Sequence, residues 1–82
     1  MKNEEKPSLP EKIVFIDGLT NEIRREEAFE NVPESIRFAP NADGELEPVV
    51  KIVDVTTEKQ RIIRQFGRGE VVLRSTVQYL DE

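Results

Sequence analysis

The stretch "VVKIVDVTTEKQRIIRQF", residues 49–66, carries the clearest pattern in this chain. Two runs rich in valine and isoleucine are separated by the polar joint "TTEK", residues 56–59. Such a pair of β-branched runs predicts a β-hairpin, with "PVVKIVDV", residues 48–55, as its first strand. The second run, "QRIIRQF" at residues 60–66, is favoured as the partner strand, and a short helix capped by Thr57 and Gly67 is the alternative. Because apolar residues occupy both alternating positions of that strand, we expect a central strand that is covered at least in part on each face.

Toward the N-terminus, the pattern predicts further elements. Residues 12–18, "KIVFIDG", predict a short strand that ends in a turn. Residues 19–33, "LTNEIRREEAFENVP", predict a helix, with Thr20 as its N-cap. Residues 34–40, "ESIRFAP", predict another short strand, and residues 41–47, "NADGELE", predict a turn.

The last segment, "RGEVVLRSTVQYLDE", residues 68–82, fits two structures. Its valines, threonine and tyrosine favour a strand by propensity, whereas its apolar residues also form a stripe at helical spacing. The chain as a whole predicts the α+β class, with a small antiparallel sheet of three to four strands packed with one or two helices. We expect a disordered N-terminal tail over residues 1–11 and a single α+β domain over residues 12–82.

Composition excludes several classes of function. The chain of 82 residues has no cysteine and no histidine, so it has no disulfide, no Cys/His zinc site and no histidine-activated nucleophile. We therefore predict no catalytic, metal-binding or cofactor-binding residues, and no enzyme activity. The apolar runs are too short to span a membrane, and no signal peptide is visible, which predicts a soluble, cytoplasmic protein.

The carboxylates allow two interpretations. Asp17, Asp43 and Asp54 could act as general acids or bases or hold a cation, but their spacing matches no calcium loop. The favoured interpretation is that Asp17 and Asp43 are turn residues and that Asp54 ends a strand. The formal net charge of −5 argues against general binding to nucleic acid, because a polyanion would be repelled.

A basic cluster in the second half of the chain is the candidate partner-binding site. It would bind an acidic partner or the acidic first half of the chain, and nucleic-acid contact through the Arg61–Arg74 region is the alternative. The apolar excess over residues 49–55 adds a second candidate surface, for another protein or a homodimer, unless helices cover both faces. The predicted partner-binding residues are Lys59, Arg61, Arg64, Phe66, Arg68 and Arg74.

Four stretches of the second half carry a further pattern: Ile36 to Phe38, "VVKIVD" at residues 49–54, Ile63 to Phe66 and Glu70 to Leu80. Through these stretches, residues 36–82 resemble the FlaG family of flagellar accessory proteins. The resemblance implies a three-stranded antiparallel meander between two helices, with the second helix at the end of the chain, and a non-catalytic role in flagellar filament length or assembly. The chain departs from the family pattern at Gly67, where the family has a proline.

These observations together predict a non-catalytic protein-interaction module, with a FlaG-like flagellar role as its concrete form. That form would place the protein at the flagellum. One alternative is a small acidic regulatory or phage-type inhibitor protein with a basic partner. The other is the nucleic-acid contact described above.

Overall fold

Seven strands account for most of the ordered backbone in the computed structural model, which describes residues 9–80. A single turn of α-helix, α1, spans Glu34–Arg37, and two 3-10 turns span Phe29–Asn31 and Arg68–Glu70. The predicted tail, residues 1–11, lies mostly outside the described residues. The strands are β1 (Lys12–Asp17), β2 (Glu22–Ala28), β3 (Phe38–Pro40), β4 (Leu46–Pro48), β5 (Lys51–Thr56), β6 (Gln60–Gly67) and β7 (Val71–Tyr79).

Five of these strands form one mixed sheet in the order β2-β1-β5-β6-β7. The pairing of β1 with β5 is parallel, and the other three pairings are antiparallel. Strands β3 and β4 form a separate two-stranded hairpin within the crossover that connects β2 to β5. The sheet therefore consists of an N-terminal hairpin and a C-terminal meander, joined side by side through the parallel pair.

The predicted hairpin at the centre of the chain is confirmed. Strands β5 and β6 pair in antiparallel fashion, from Lys51 opposite Phe66 to Thr56 opposite Arg61. The turn is closed by Thr57, whose amide donates to the carbonyl oxygen of Gln60 over 2.9 Å. The strand predicted over residues 12–18 is also confirmed, as β1.

The helix predicted over residues 19–33 is wrong, because β2 occupies Glu22–Ala28. Thr20, the predicted helix cap, instead lies in the turn between β1 and β2, where its hydroxyl accepts a hydrogen bond from the amide of Glu22. Asn21 takes the left-handed conformation, with φ of 68°, which ends any helical path at this point. Pairing with β1 thus overrides the helix propensity of a segment rich in glutamate and arginine.

The predicted α+β class is wrong as well, because the one α-helix of residues 9–80 is a single turn.

The structure also decides between the two alternatives for the last segment, since Val71–Tyr79 forms a nine-residue strand along β6. A helix at this position, which the resemblance implies, is therefore absent. The strand predicted over residues 34–40 is present only in its second half, as β3.

The crossover, residues 29–49, packs on one face of the sheet and is called the covering segment below. Its buried side chains join those of the sheet in a single core. The rings of Phe29 and Phe38 meet edge to face, with centroids 5.5 Å apart. A bulge opposite Gln65 and Phe66 lets Leu73 pack against this core from β7. The buried members of the core are Ile13, Phe29, Val32, Ala39, Val49 and Ile52.

Candidate interaction surfaces

The two faces of the sheet can be distinguished from its register, because residues directly opposite each other on neighbouring strands point to the same face. One face contains Ile13 and Ile52, which belong to the core, and Phe15, which packs against it. Gln65, which is also buried, lies on the same face. This is the covered face. The opposite face, called the bare face below, contains the remaining alternate residues, which are largely aliphatic.

Three rows of side chains cross the bare face. The first row runs Glu26–Val14–Lys51–Phe66–Val72, the second Ile23–Ile16–Val53–Arg64–Ser75, and the third Val55–Ile62–Val77. None of these side chains is in the buried class, although several lie in the middle of the sheet. Within residues 9–80, therefore, no layer of the protein covers this face.

The exposure of the bare face is greatest toward its two edges. Ile23 is 60% exposed on β2, and Val72 and Val77 are 49% and 48% exposed on β7. Folding gains from burying such side chains, so a face left open in this way usually marks a surface that contacts something else.

Three cations lie on the bare face: Lys12, which pairs with Glu26 at its edge, and Lys51 and Arg64 among the aliphatic residues. The ammonium of Lys51 is 3.0 Å from a carboxylate oxygen of Glu70 and 4.6 Å from the centroid of the Phe66 ring, so its charge is already matched. Arg64 is exposed in the second row, between Val53 and Ser75. The bare face is thus apolar at its centre, with one exposed guanidinium in its middle row.

The covered face has a groove beyond the edge of the covering segment, with a volume of about 440 Å³. Its floor is formed by Phe15, Ile52 and Ile63, and the guanidinium groups of four arginines surround it: Arg24, Arg25, Arg61 and Arg74. The guanidinium of Arg25 lies 4.0 Å above the ring of Phe15. Arg74 donates to the side-chain oxygen of Gln65 over 2.7 Å and to the carbonyl of Ser35.

Asp54 joins two of these arginines in an ion-pair network. Its carboxylate accepts hydrogen bonds from Arg61 at 3.0 and 3.2 Å and from the hydroxyl of Thr56 at 2.6 Å, and Arg24 lies 3.8 Å away. Burial by itself raises the pKa of Asp54, but the hydrogen bonds from Thr56 and Arg61 and the attraction of both guanidinium groups outweigh it. The pKa of Asp54 therefore lies below its ordinary value, and this carboxylate stays charged.

Asp17 extends the network at the end of β1. The amide of Leu19 donates to its carboxylate over 2.9 Å, and Arg24 donates over 3.1 Å. These hydrogen bonds, that of the Leu19 amide first, lower the pKa of Asp17. Because every arginine of the groove already has a partner, the groove is held together by its own charges.

The six predicted partner-binding residues do not form one site. Arg61 and Arg74 lie at the groove on the covered face, whereas Arg64 and Phe66 lie on the bare face. Lys59 is in the turn between β5 and β6, and Arg68 is in the 3-10 turn before β7. A single basic surface for nucleic acid over Arg61–Arg74 is thus divided between two sides of the sheet.

The interpretation of the carboxylates can now be compared with their surroundings. Asp43 lies in the β3–β4 turn, where its amide donates to the side chain of Asn41. Asp17 and Asp54 lie in the ion-pair network. Within the described residues, no group of three or more acidic side chains is placed to hold a metal ion.

The sequence pattern identified part of the bare face and missed the rest. The aliphatic excess over residues 49–55 corresponds to Val53 and Val55, and the structure leaves this side of β5 without a helix over it. The contribution of β1 was not predicted, because the parallel pair links positions far apart in the chain. The partnership of Arg24 with Asp54 was missed for the same reason, since it needs the positions of β2 and β5 together.

Comparisons with known proteins identify no relative: no family model matches the chain, and no match was found among curated proteins or solved structures. No helix of the described residues has the length and apolar character needed to cross a membrane.

Proposed function

We propose that this protein is a non-catalytic protein-interaction module whose bare sheet face binds another protein. The observation that carries the proposal is the uncovered layer of aliphatic side chains on β1, β5, β6 and β7. Five strands about 4.8 Å apart, with six residues each at about 3.3 Å per residue, give this face a projected area of roughly 400 Å². The exposed apolar part of this face is smaller, because Lys51, Arg64 and Ser75 share it, and an apolar patch rimmed by polar residues often marks a binding site.

The chemistry of the face indicates what the partner offers. Apolar side chains would cover the aliphatic rows, and a carboxylate opposite Arg64 would match its charge. The arginines of the groove are poor candidates for the same role, because Asp17, Asp54 and Gln65 already hold three of them. The proposal therefore rests on the bare face alone.

A flagellar accessory role, which the resemblance implies, is one form that this interaction could take. It has less support than the general proposal, because β7 occupies the position of the helix that the resemblance implies. Counting filament lengths in cells with and without the gene would test this form separately.

The general proposal can be tested with matched pairs of substitutions. We predict that Ile23→Ser with Val72→Ser weakens capture of the partner from extracts of the source cells, because both side chains lie exposed on the bare face. Leu19→Ser with Leu46→Ser is the control, since these leucines are 63% and 68% exposed elsewhere on the surface. Equal capture by both double variants and the wild type would show that the bare face is not the binding surface.

A further inference from the structure

The two edges of the sheet differ sharply in chemistry. The edge strand β2 carries four consecutive charged residues, Arg24 to Glu27, and a bulge opposite Phe15 and Ile16. Charges and bulges are the features by which natural edge strands avoid pairing with another chain. The other edge strand, β7, has no charged residue from Ser75 to Tyr79, and all five of these residues are exposed.

Strand β7 also has the geometry of an edge that can accept a further strand. It is the longest strand of the sheet, and its pairing with β6 continues from Val71 opposite Gly67 to Tyr79 opposite Gln60. The covering segment reaches β7 at Arg74, through the hydrogen bond to Ser35. Beyond Arg74, no strand among residues 9–80 lies along the outer side of β7.

We propose that β7 pairs with β7 of a second copy of this chain, in antiparallel orientation, to form a continuous ten-stranded sheet. This inference is independent of the proposed function, because it uses the edge of the sheet and not its bare face. The partner is a second copy because the edge is complementary to itself under two-fold symmetry.

Symmetry restricts the register of such a pair, and we place the axis at Val77 because it is the centre of the uncharged run Ser75–Tyr79. A two-fold axis perpendicular to the sheet keeps each side chain on its own face, so it pairs residues whose numbers have the same parity. With Val77 on the axis, Thr76 lies opposite Gln78 and Ser75 lies opposite Tyr79, and no two like charges meet. Thr76 and Gln78 can exchange a hydrogen bond across the junction.

The same operation on β2 brings charged residues to the centre of the junction. An axis at Arg24, Arg25, Glu26 or Glu27 would place that charge directly opposite its own copy, and like charges opposite each other destabilise a strand pair. The two edges therefore differ: β7 can pair with its copy without bringing a charge to the centre of the junction, whereas pairing through β2 brings several charges there and meets the bulge in that strand. Pairing through β7 would also make the two bare faces one continuous surface.

The test is a matched pair of double variants measured by sedimentation equilibrium. Gln78→Glu with Thr76→Glu places like charges opposite each other twice in the dimer, and should weaken self-association about tenfold. Gln78→Glu with Thr76→Lys places opposite charges at the same positions, and should restore association to at least the wild-type level. The weight-average molecular mass of the wild type should approach twice the chain mass of 9.5 kDa as the protein concentration rises.

Two outcomes would overturn the proposal: a wild type that stays monomeric at the highest concentration reached, or equal association by the two double variants. If the first double variant fails to fold, amide hydrogen exchange on the wild type still decides. Pairing predicts that amides within residues 75–79 become protected as concentration rises, and exchange independent of concentration would contradict it.

Discussion

At the scale of single residues, Asp54 shows how position determines the role of a carboxylate. The sequence suggested that Asp54 ends a strand, and it lies near the end of β5. Its neighbours Arg24 and Arg61 come from β2 and β6, which only the folded sheet brings to it. No spacing in the sequence predicts this, because the two arginines are 30 and 7 positions away on either side.

We predict that Asp54 makes stability depend on pH in the acid range. Because its pKa is lowered in the folded protein from 3.8, its contribution is complete above that value and is lost as pH falls through the folded pKa. In Asp54→Asn, unfolding should depend less on pH below about 4, and stability at pH 7 should fall by about 1–2 kcal/mol. Urea unfolding across this pH range is the measurement, and the same pH dependence in both proteins would contradict the prediction.

Gln65 is the buried polar residue that attaches the covering segment to the sheet. Its side-chain amide donates to the carbonyl oxygen of Ile36 over 2.7 Å, and its oxygen accepts from Arg74. Gln65→Leu should therefore cost about 1–3 kcal/mol, because it leaves these partners without their hydrogen bonds. Glu58→Leu, at an exposed position of the turn between β5 and β6, should change the free energy of unfolding by less than about 0.5 kcal/mol. Similar losses from both substitutions would contradict this role.

At the scale of elements, local patterns predicted the strands with strong β-branched runs and failed where propensity opposed pairing. Strands β1, β5 and β6 have apolar residues at close spacing, and each was predicted. Strand β2, with "EIRREEA", has the composition of a helix, and it is a strand because β1 pairs along its whole length. The order of the strands could not be predicted, since the parallel pair depends on the path of the crossover.

NMR can test the two segments for which the prediction from the sequence was wrong or undecided. We predict extended-strand NMR chemical shifts over Glu22–Ala28 and over Val71–Tyr79. Contacts between the amide and α protons of paired residues, such as Val14 with Glu26 and Ile62 with Val77, should accompany them. Helical shifts over either range would contradict the five-stranded sheet.

At the scale of the whole molecule, the main feature is the inequality of the two sheet faces. The covering segment supplies Phe29, Val32, Ala39 and Val49 to one face, and a chain this short has no second segment among its described residues for the other. The sequence indicated the aliphatic excess over residues 49–55 but not which side would be open. That choice depends on where the crossover packs, which is a property of the assembled sheet.

Exposure of the bare face is the central claim, and solvent paramagnetic relaxation of methyl groups tests it most directly. A soluble paramagnetic probe added to the isolated protein should strongly broaden the methyl signals of Ile23, Val72 and Val77, which are 60%, 49% and 48% exposed on this face. The methyl groups of Ile13, Val49 and Ile52 should be protected, because these residues are at most 4% exposed. Equal protection of both sets would mean that the face is covered, and would contradict the interaction surface proposed for this protein.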